Sequence, residues 1–158
     1  MAKILIVYHS RSGNTKKMAE FVAEGVRKTG SEAILKTVDK ASVSELLEAD
    51  GVILGSPTYY GHSAGTIRAY IDESVKYHGR LAGKVGGAFA SSANIGGGNE
   101  TTVLDLLHSL LIHGMIVQGA ETGDHYGPVS IGAPDSRVET QCLSLGERVA
   151  RLAEKLKQ

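Results

Sequence analysis

The chain is short of the residues that mark fibrous, secreted or membrane proteins. It holds one cysteine, three prolines, two phenylalanines and no tryptophan in 158 residues. A lone Cys142 excludes an internal disulfide and a thiolate zinc cluster, and reads as a small buried hydrophobe. No Pro/Ser-rich linker and no internal repeat divides the chain. Lys plus Arg and Asp plus Glu stand at 17 each, so no basic field is offered to nucleic acid or an anionic membrane. No apolar run approaches the roughly 20 residues that span a bilayer. The opening stretch Ile4–Tyr8 is too short for a signal peptide. These absences leave a cytoplasmic protein with no membrane span, sized for one domain over residues 1–158.

Glycine is in excess, 20 of 158 against an average of about 7%, and it falls between elements. The apolar run Lys3–Tyr8 reads as a strand buried on both faces. Thr15–Lys28 follows as an amphipathic helix closed by Gly30. Ala33–Val38 is a second strand, and Ser42-Val43-Ser44-Glu45 is a capping box opening a short helix through Ala49. Gly51–Ser56 is a third strand, followed by a helix from Gly65 to about Lys76. Lys84–Ser91 is a fourth strand, with Gly86 and Gly87 allowing close backbone approach. Asn99–His113 is a helix capped by Gly114, Met115–Gly119 a fifth strand, and Val138–Leu156 the last helix. Five alternations predict an α/β three-layer sandwich on a five-stranded, doubly wound parallel sheet.

Ligands of such sheets sit beyond the C-terminal ends of the strands, and three loops there carry polar residues. Ser10-Arg11-Ser12-Gly13-Asn14-Thr15 opens a helix, where unpaired N–H groups and the dipole favour an anion. Its hydroxyls, amide and Gly13 can surround the phosphate monoester of a larger cofactor. It lacks the P-loop lysine, the G-x-G-x-x-G fingerprint, the acids of a receiver domain and the cysteine of a thiol phosphatase. Ser56-Pro57-Thr58-Tyr59-Tyr60-Gly61-His62 offers two tyrosines for stacking on a flat conjugated ring. Ser91-Ser92-Ala93-Asn94-Ile95-Gly96-Gly97-Gly98-Asn99-Glu100 brings three glycines that let backbone amides approach a ligand. A long connection, Ala120–Arg137, is placed to cover the site or meet a partner subunit. The histidines show no i, i+4 pairing on a helix, so no metal site is expected.

The first loop resembles the phosphate loop of flavodoxins. From Gly55 onward the chain is more similar to WrbA-type NAD(P)H:quinone oxidoreductases. The matching stretches are Gly55-Ser56-Pro57-Thr58, Tyr60-Gly61, Ser91-Ser92, Gly96-Gly97-Gly98-Asn99-Glu100, His113-Gly114-Met115 and Tyr126-Gly127. The resemblance implies a flavodoxin-like fold and an FMN cofactor. The family's phosphate loop falls on Ser10, Arg11, Ser12, Gly13, Asn14 and Thr15. Its ring-flanking loop falls on Pro57, Thr58, Tyr59 and Tyr60, and its third loop on Ser92, Ala93, Asn94, Ile95, Gly96 and Gly97. The family's histidine beside the flavin falls on His113, a possible catalytic residue. The residues alone make His113 a helix C-terminal group favoured by the dipole. The chain departs from the WrbA pattern at Ser12, usually aromatic, and at Tyr59, usually basic. The segment Lys76–Leu81 is also shorter than the family's.

Two activities follow from that resemblance. In one, an FMN-dependent oxidoreductase carries electrons from NAD(P)H to a quinone-like acceptor, as a homodimer or homotetramer. In the other, a flavodoxin carries electrons to a redox protein partner. Carrier flavodoxins are strongly acidic and dock through that field; the charge balance here and the missing tryptophan favour the enzyme.

Overall fold

A strand with branched apolar residues on both faces has no side that tolerates water, and β1 (Lys3–Tyr8) shows the result. In the computed structural model, which describes residues 1–157, its side chains alternate between two cores. Ile4, Ile6 and Tyr8 pack against α1 (Asn14–Lys28) and α5 (Ser136–Leu156). Leu5 and Val7 face the other layer, made of α2 (Glu45–Glu48), α3 (Gly65–Glu73) and α4 (Asn99–Ile112). A single 3₁₀ turn, Ser74–Tyr77, extends α3. No helix among the described residues is long and apolar enough to cross a membrane.

Beside β1 lie β2 (Glu32–Thr37) and β3 (Gly51–Tyr59), and beside β3 lies β5 (Val85–Ser92), all parallel. The edge column is β6 (Ile116–Val117), giving the order β2-β1-β3-β5-β6. The chain thus reverses its winding direction at β1/β3, the switch point at which open α/β sheets leave a crevice. The expected three-layer, doubly wound architecture is present.

Glycine sets how closely the layers approach. A Cβ on Gly86 would lie 3.1 Å from Leu110, and one on Gly87 3.1 Å from Leu145 and Val149, so α4 and α5 rest on opposite faces of bare strand. The ring of Phe89, fully buried, fills the space over Gly55. Where α1 crosses α5 the fit is reciprocal. A Cβ on Gly25 would fall 2.1 Å from the Leu143 carbonyl oxygen, and one on Gly146 2.1 Å from that of Val22.

Two features differ from expectation. The third strand does not end at Ser56: it runs to Tyr59, turns through Tyr60 (φ 50°) and Gly61 (φ 81°), and pairs back as β4 (His62–Ser63). Two successive positive φ values are those of a type I′ hairpin, ordinarily announced by Asn-Gly. Here a tyrosine takes the first position, so the signal is hidden. The fifth strand, expected as Met115–Gly119, is divided. The chain leaves β5 after Val117, where Gln118-Gly119-Ala120 offers nothing branched to cover the strand, and returns as β7 (Val129–Ile131) beside Ala90–Ser92. Arg137 holds the return by donating to Asp124 (2.8 Å) and to the Val129 carbonyl (2.8 Å). Gly127 permits it: a Cβ there would sit 2.1 Å from the Ala88 oxygen.

Candidate functional site

Four segments meet at the C-terminal edge of the sheet around an open cleft of ≈190 Å³. Its walls are Arg11, Ser12 and Asn14; Pro57, Thr58 and Tyr59; Ser91, Ser92 and Ala93; and Gly132 beyond β7.

The first wall is a helix start. Gly13 takes φ 98° as the N-cap of α1, a conformation that costs other residues. The Ser10 hydroxyl accepts from the backbone N–H of Gly13 (3.1 Å) and of Lys16 (3.2 Å), which fixes the loop's curvature. Asn14 and Thr15, the first helical residues, have N–H groups without an intrahelical acceptor. The Thr15 side chain turns away from the cleft: it is buried, and its hydroxyl pairs with that of Ser91 at 2.8 Å. That bond ties the first loop to the third.

The second wall is the β3–β4 hairpin. Ser56 accepts from the Ala64 N–H (2.8 Å) and steadies its base. Thr58 Oγ1 is buried with no hydrogen-bond partner in the protein. Such an atom is unusual, because an unmade hydrogen bond is costly in a site that excludes water. Tyr59 stands at the mouth beside His9, ring centroids 6.3 Å apart and nearly perpendicular. Tyr60 projects wholly into solvent from the turn.

In the third wall the triple glycine answers to the chain itself. Gly97 donates to the Asn94 carbonyl (3.1 Å), and its Cβ would meet that oxygen at 2.9 Å. Gly98 caps α4 at φ 96°, and a Cβ there would strike the Cα of Gly61 at 2.8 Å. At 97 and 98 the missing Cβ also serves a loop-on-loop approach within the chain. Gly96 (φ 71°) has open space around it. Asn94 and Ile95 lie on the outer rim, the Asn94 amide donating to the Ile95 carbonyl (2.9 Å). Asn99 donates to the Ser92 hydroxyl (3.0 Å), and Gly132 donates to the Ser92 carbonyl (2.8 Å), closing the ring of loops.

His113 is not brought to the cleft. It follows the last residue of α4, whose first turn is at the site, so the length of a 14-residue helix, about 20 Å, separates them within one chain. Its Nε2 pairs with the Ser74 hydroxyl at 2.7 Å, Nδ1 is buried without a partner, and His78 lies 5.9 Å away. Burial first, then the His78 charge, lowers its pKa. Cys142 is fully buried, and burial pushes its thiol far up, so it stays protonated. The sequence reading missed His9, Ser91 and Gly132. Ser91 sits in the serine pair of the third loop, but Gly132 had no signal because the strand carrying it was hidden behind the excursion.

A family model described as a flavodoxin domain matches residues 5–105. A protein named flavodoxin from Aquifex aeolicus is 42% identical over 159 positions, covering 95% of this chain and 86% of its own. One named NAD(P)H dehydrogenase (quinone), from Archaeoglobus fulgidus, is 35% identical over 190 positions, with 99% and 100% covered. Among solved structures, a WrbA-like flavodoxin from Agrobacterium tumefaciens superposes with a TM-score of 0.84 at 30% identity, covering 98% of this chain and 99% of that one. An archaeal flavodoxin gives 0.80 at 28% identity, with 99% of each covered. By fold, loop placement and kinship alike, the chain belongs to the flavodoxin-like family, with WrbA-type proteins among its relatives.

Proposed function

We propose that the protein binds FMN across these loops and uses it to pass electrons from NAD(P)H to a quinone or similar small acceptor. The balance is NAD(P)H plus a proton plus quinone giving NAD(P)⁺ plus hydroquinone. The residues fit the cofactor. The N–H groups of Asn14 and Thr15 and the hydroxyl of Ser12 are donors for a phosphate, with Ser10, Gly13 and Thr15 holding the loop in shape. Arg11 adds a positive charge at the rim. Thr58 Oγ1, buried and unpaired, has the character of a group awaiting a ligand's polar edge. Pro57, Tyr59 and Ala93 offer flat or apolar contact to a ring, and Tyr60 lies at the edge of the same hairpin. Bound there, FMN supplies both one- and two-electron chemistry; the side chains bind, orient and leave one side open. His113 has no place in a site built from one chain.

The observation that carries the reductase reading is the rim itself. A carrier docks through a field of one sign. Here 17 acids face 17 bases, and the mouth is Arg11, His9, Tyr59 and Tyr60, suited to a neutral aromatic acceptor. One observation favours the carrier. The Archaeoglobus dehydrogenase aligns over 190 positions against 158 residues here, so it has segments with no counterpart, whereas the Aquifex flavodoxin aligns over 159.

Anaerobic mixing of FMN-loaded protein with NADPH, and separately NADH, tests the reading. Loss of the visible flavin band, restored by a quinone, is the expected result. No loss with either nucleotide, with dithionite reducing the protein in two separate one-electron steps, supports the carrier. Failure to bind FMN refutes both.

A further inference from the structure

We infer that the protein discriminates between the two nicotinamide dinucleotides, taking NADH over NADPH, and that Glu100 makes the choice. The inference rests on the reductase reading above. A second cleft, of ≈200 Å³, opens between the first turn of α4 and the excursion that divides the edge strand, lined by Glu100, Val103, Asp124, His125, Tyr126 and Val129 among others. Two valines and the ring of Tyr126, half exposed, give it apolar contact area; two carboxylates and an imidazole give it polarity. That mixture suits a nucleoside, with a flat base against the apolar side and a sugar diol donating to a carboxylate.

Its position fits the same reading. Val129 lines this second cleft and Gly132 the first, three residues apart along one extended segment, or about 10 Å. Asn99, the neighbour of Glu100, is tied to Ser92 in the first cleft (3.0 Å). One dinucleotide can therefore reach both, its nicotinamide on the open side of the flavin held at the first and its remote ribose at the second.

The electrostatics decide which dinucleotide. Recognition of a 2′-phosphate calls for a cation not already neutralised by a carboxylate, whereas a 2′-hydroxyl needs an acceptor. The guanidinium beside this cleft is already paired in charge: Arg137 gives Nη1 to Asp124 (2.8 Å) and Nη2 to the Val129 carbonyl (2.8 Å). The His125 ring is held at Nδ1 by the Ala120 carbonyl (2.8 Å). Glu100, exposed at the mouth, makes no ion pair or side-chain hydrogen bond among the described residues. A phosphate dianion arriving there meets a like charge and no unpaired arginine.

Reduction rates with NADH and NADPH, for wild type and for Glu100→Gln, are measured alongside titrations of isotope-labelled protein with NAD⁺ and NADP⁺. Wild type favours NADH by at least about tenfold. The substitution erases most of that ratio by improving NADPH, while FMN affinity stays unchanged. Glu24→Gln, on α1, leaves the ratio as it was. NAD⁺ shifts the amides of Gly123, Tyr126 and Gly127. Equal rates from both nucleotides, a ratio untouched by Glu100→Gln, or shifts confined to other loops overturns the inference while the reductase reading stands. No reduction and no shift by either nucleotide overturns the reductase reading and the inference with it.

Discussion

Thr58→Val changes a hydroxyl for a methyl of the same shape at a strand position where β-branched residues are at home. In the cofactor-free protein Thr58 Oγ1 is buried and unpaired, a condition that costs about 1–3 kcal/mol. Valine removes the group and its cost, so the cofactor-free protein gains stability. At about 2–4 °C per kcal/mol for a chain of this length, Tm rises by roughly 2–12 °C. FMN binding moves the other way. The lost hydrogen bond, together with a ligand atom left unsatisfied, weakens affinity by about tenfold, or about 1.4 kcal/mol. Thermal unfolding of the cofactor-free protein and fluorescence titration with FMN measure the two effects. Thr58→Ser, which keeps the hydroxyl, holds affinity close to wild type. A cofactor-free Thr58→Val that melts lower, or one that binds FMN as tightly as wild type, refutes the reasoning, because only a group waiting for a ligand gives opposite signs.

Gly13→Val meets no atom within 4 Å, so its penalty is the φ of 98° rather than crowding; FMN affinity falls at least about tenfold with the far-ultraviolet spectrum unchanged, and Gly13→Asn, which tolerates that φ better, loses less. Gly146→Ala drives a methyl to 2.1 Å from the Val22 carbonyl oxygen and forces α1 and α5 apart, at about 3 kcal/mol and a Tm loss of roughly 6–12 °C; a loss within about 2 °C contradicts the crossing geometry. His113 has a folded-state pKa lowered by burial and then by His78, so the unfolded chain takes up the proton first. Its contribution is complete above about pH 6.5 and is lost as pH falls below that value. Urea midpoints therefore decline from about pH 6.5 to 5 in wild type and decline less in His113→Gln; parallel curves count against a buried imidazole.

Much of this was legible in the chain because it was written locally. The run Ile4-Leu5-Ile6-Val7 can satisfy itself only between two layers. Gly13 and Gly98 mark helix starts that need positive φ. Glu45 reaches back to the Ser42 N–H (2.8 Å), one half of the expected capping box. What stayed hidden depended on contacts distant in sequence. The interrupted edge strand is held by Asp124, Arg137 and the bareness of Gly127 against Ala88, and no window around Ile116 contains them. Tyr60 conceals a hairpin turn because the strain at its φ is met by Gly61 and the β3–β4 pairing. His113 sits in a motif-like stretch, yet its helix runs antiparallel to the strands and carries it to the opposite end of the sheet. Two members of the triple glycine also make room for neighbouring chain, a contact that no local window shows.

The divided edge strand has a further consequence, for self-association. A long, regular edge exposes a row of backbone donors and acceptors on which another molecule's strand can grow, the usual start of aggregation. On this side of the sheet the exposed border comes in pieces of two and three residues, whereas the opposite edge, β2, is a regular strand of six. Because Val85 is registered with Ile116 and Ala90 independently with Val129, the excursion between them can lengthen or shorten without moving either register. Sheet termination and tolerance of insertions thus come from a single interruption.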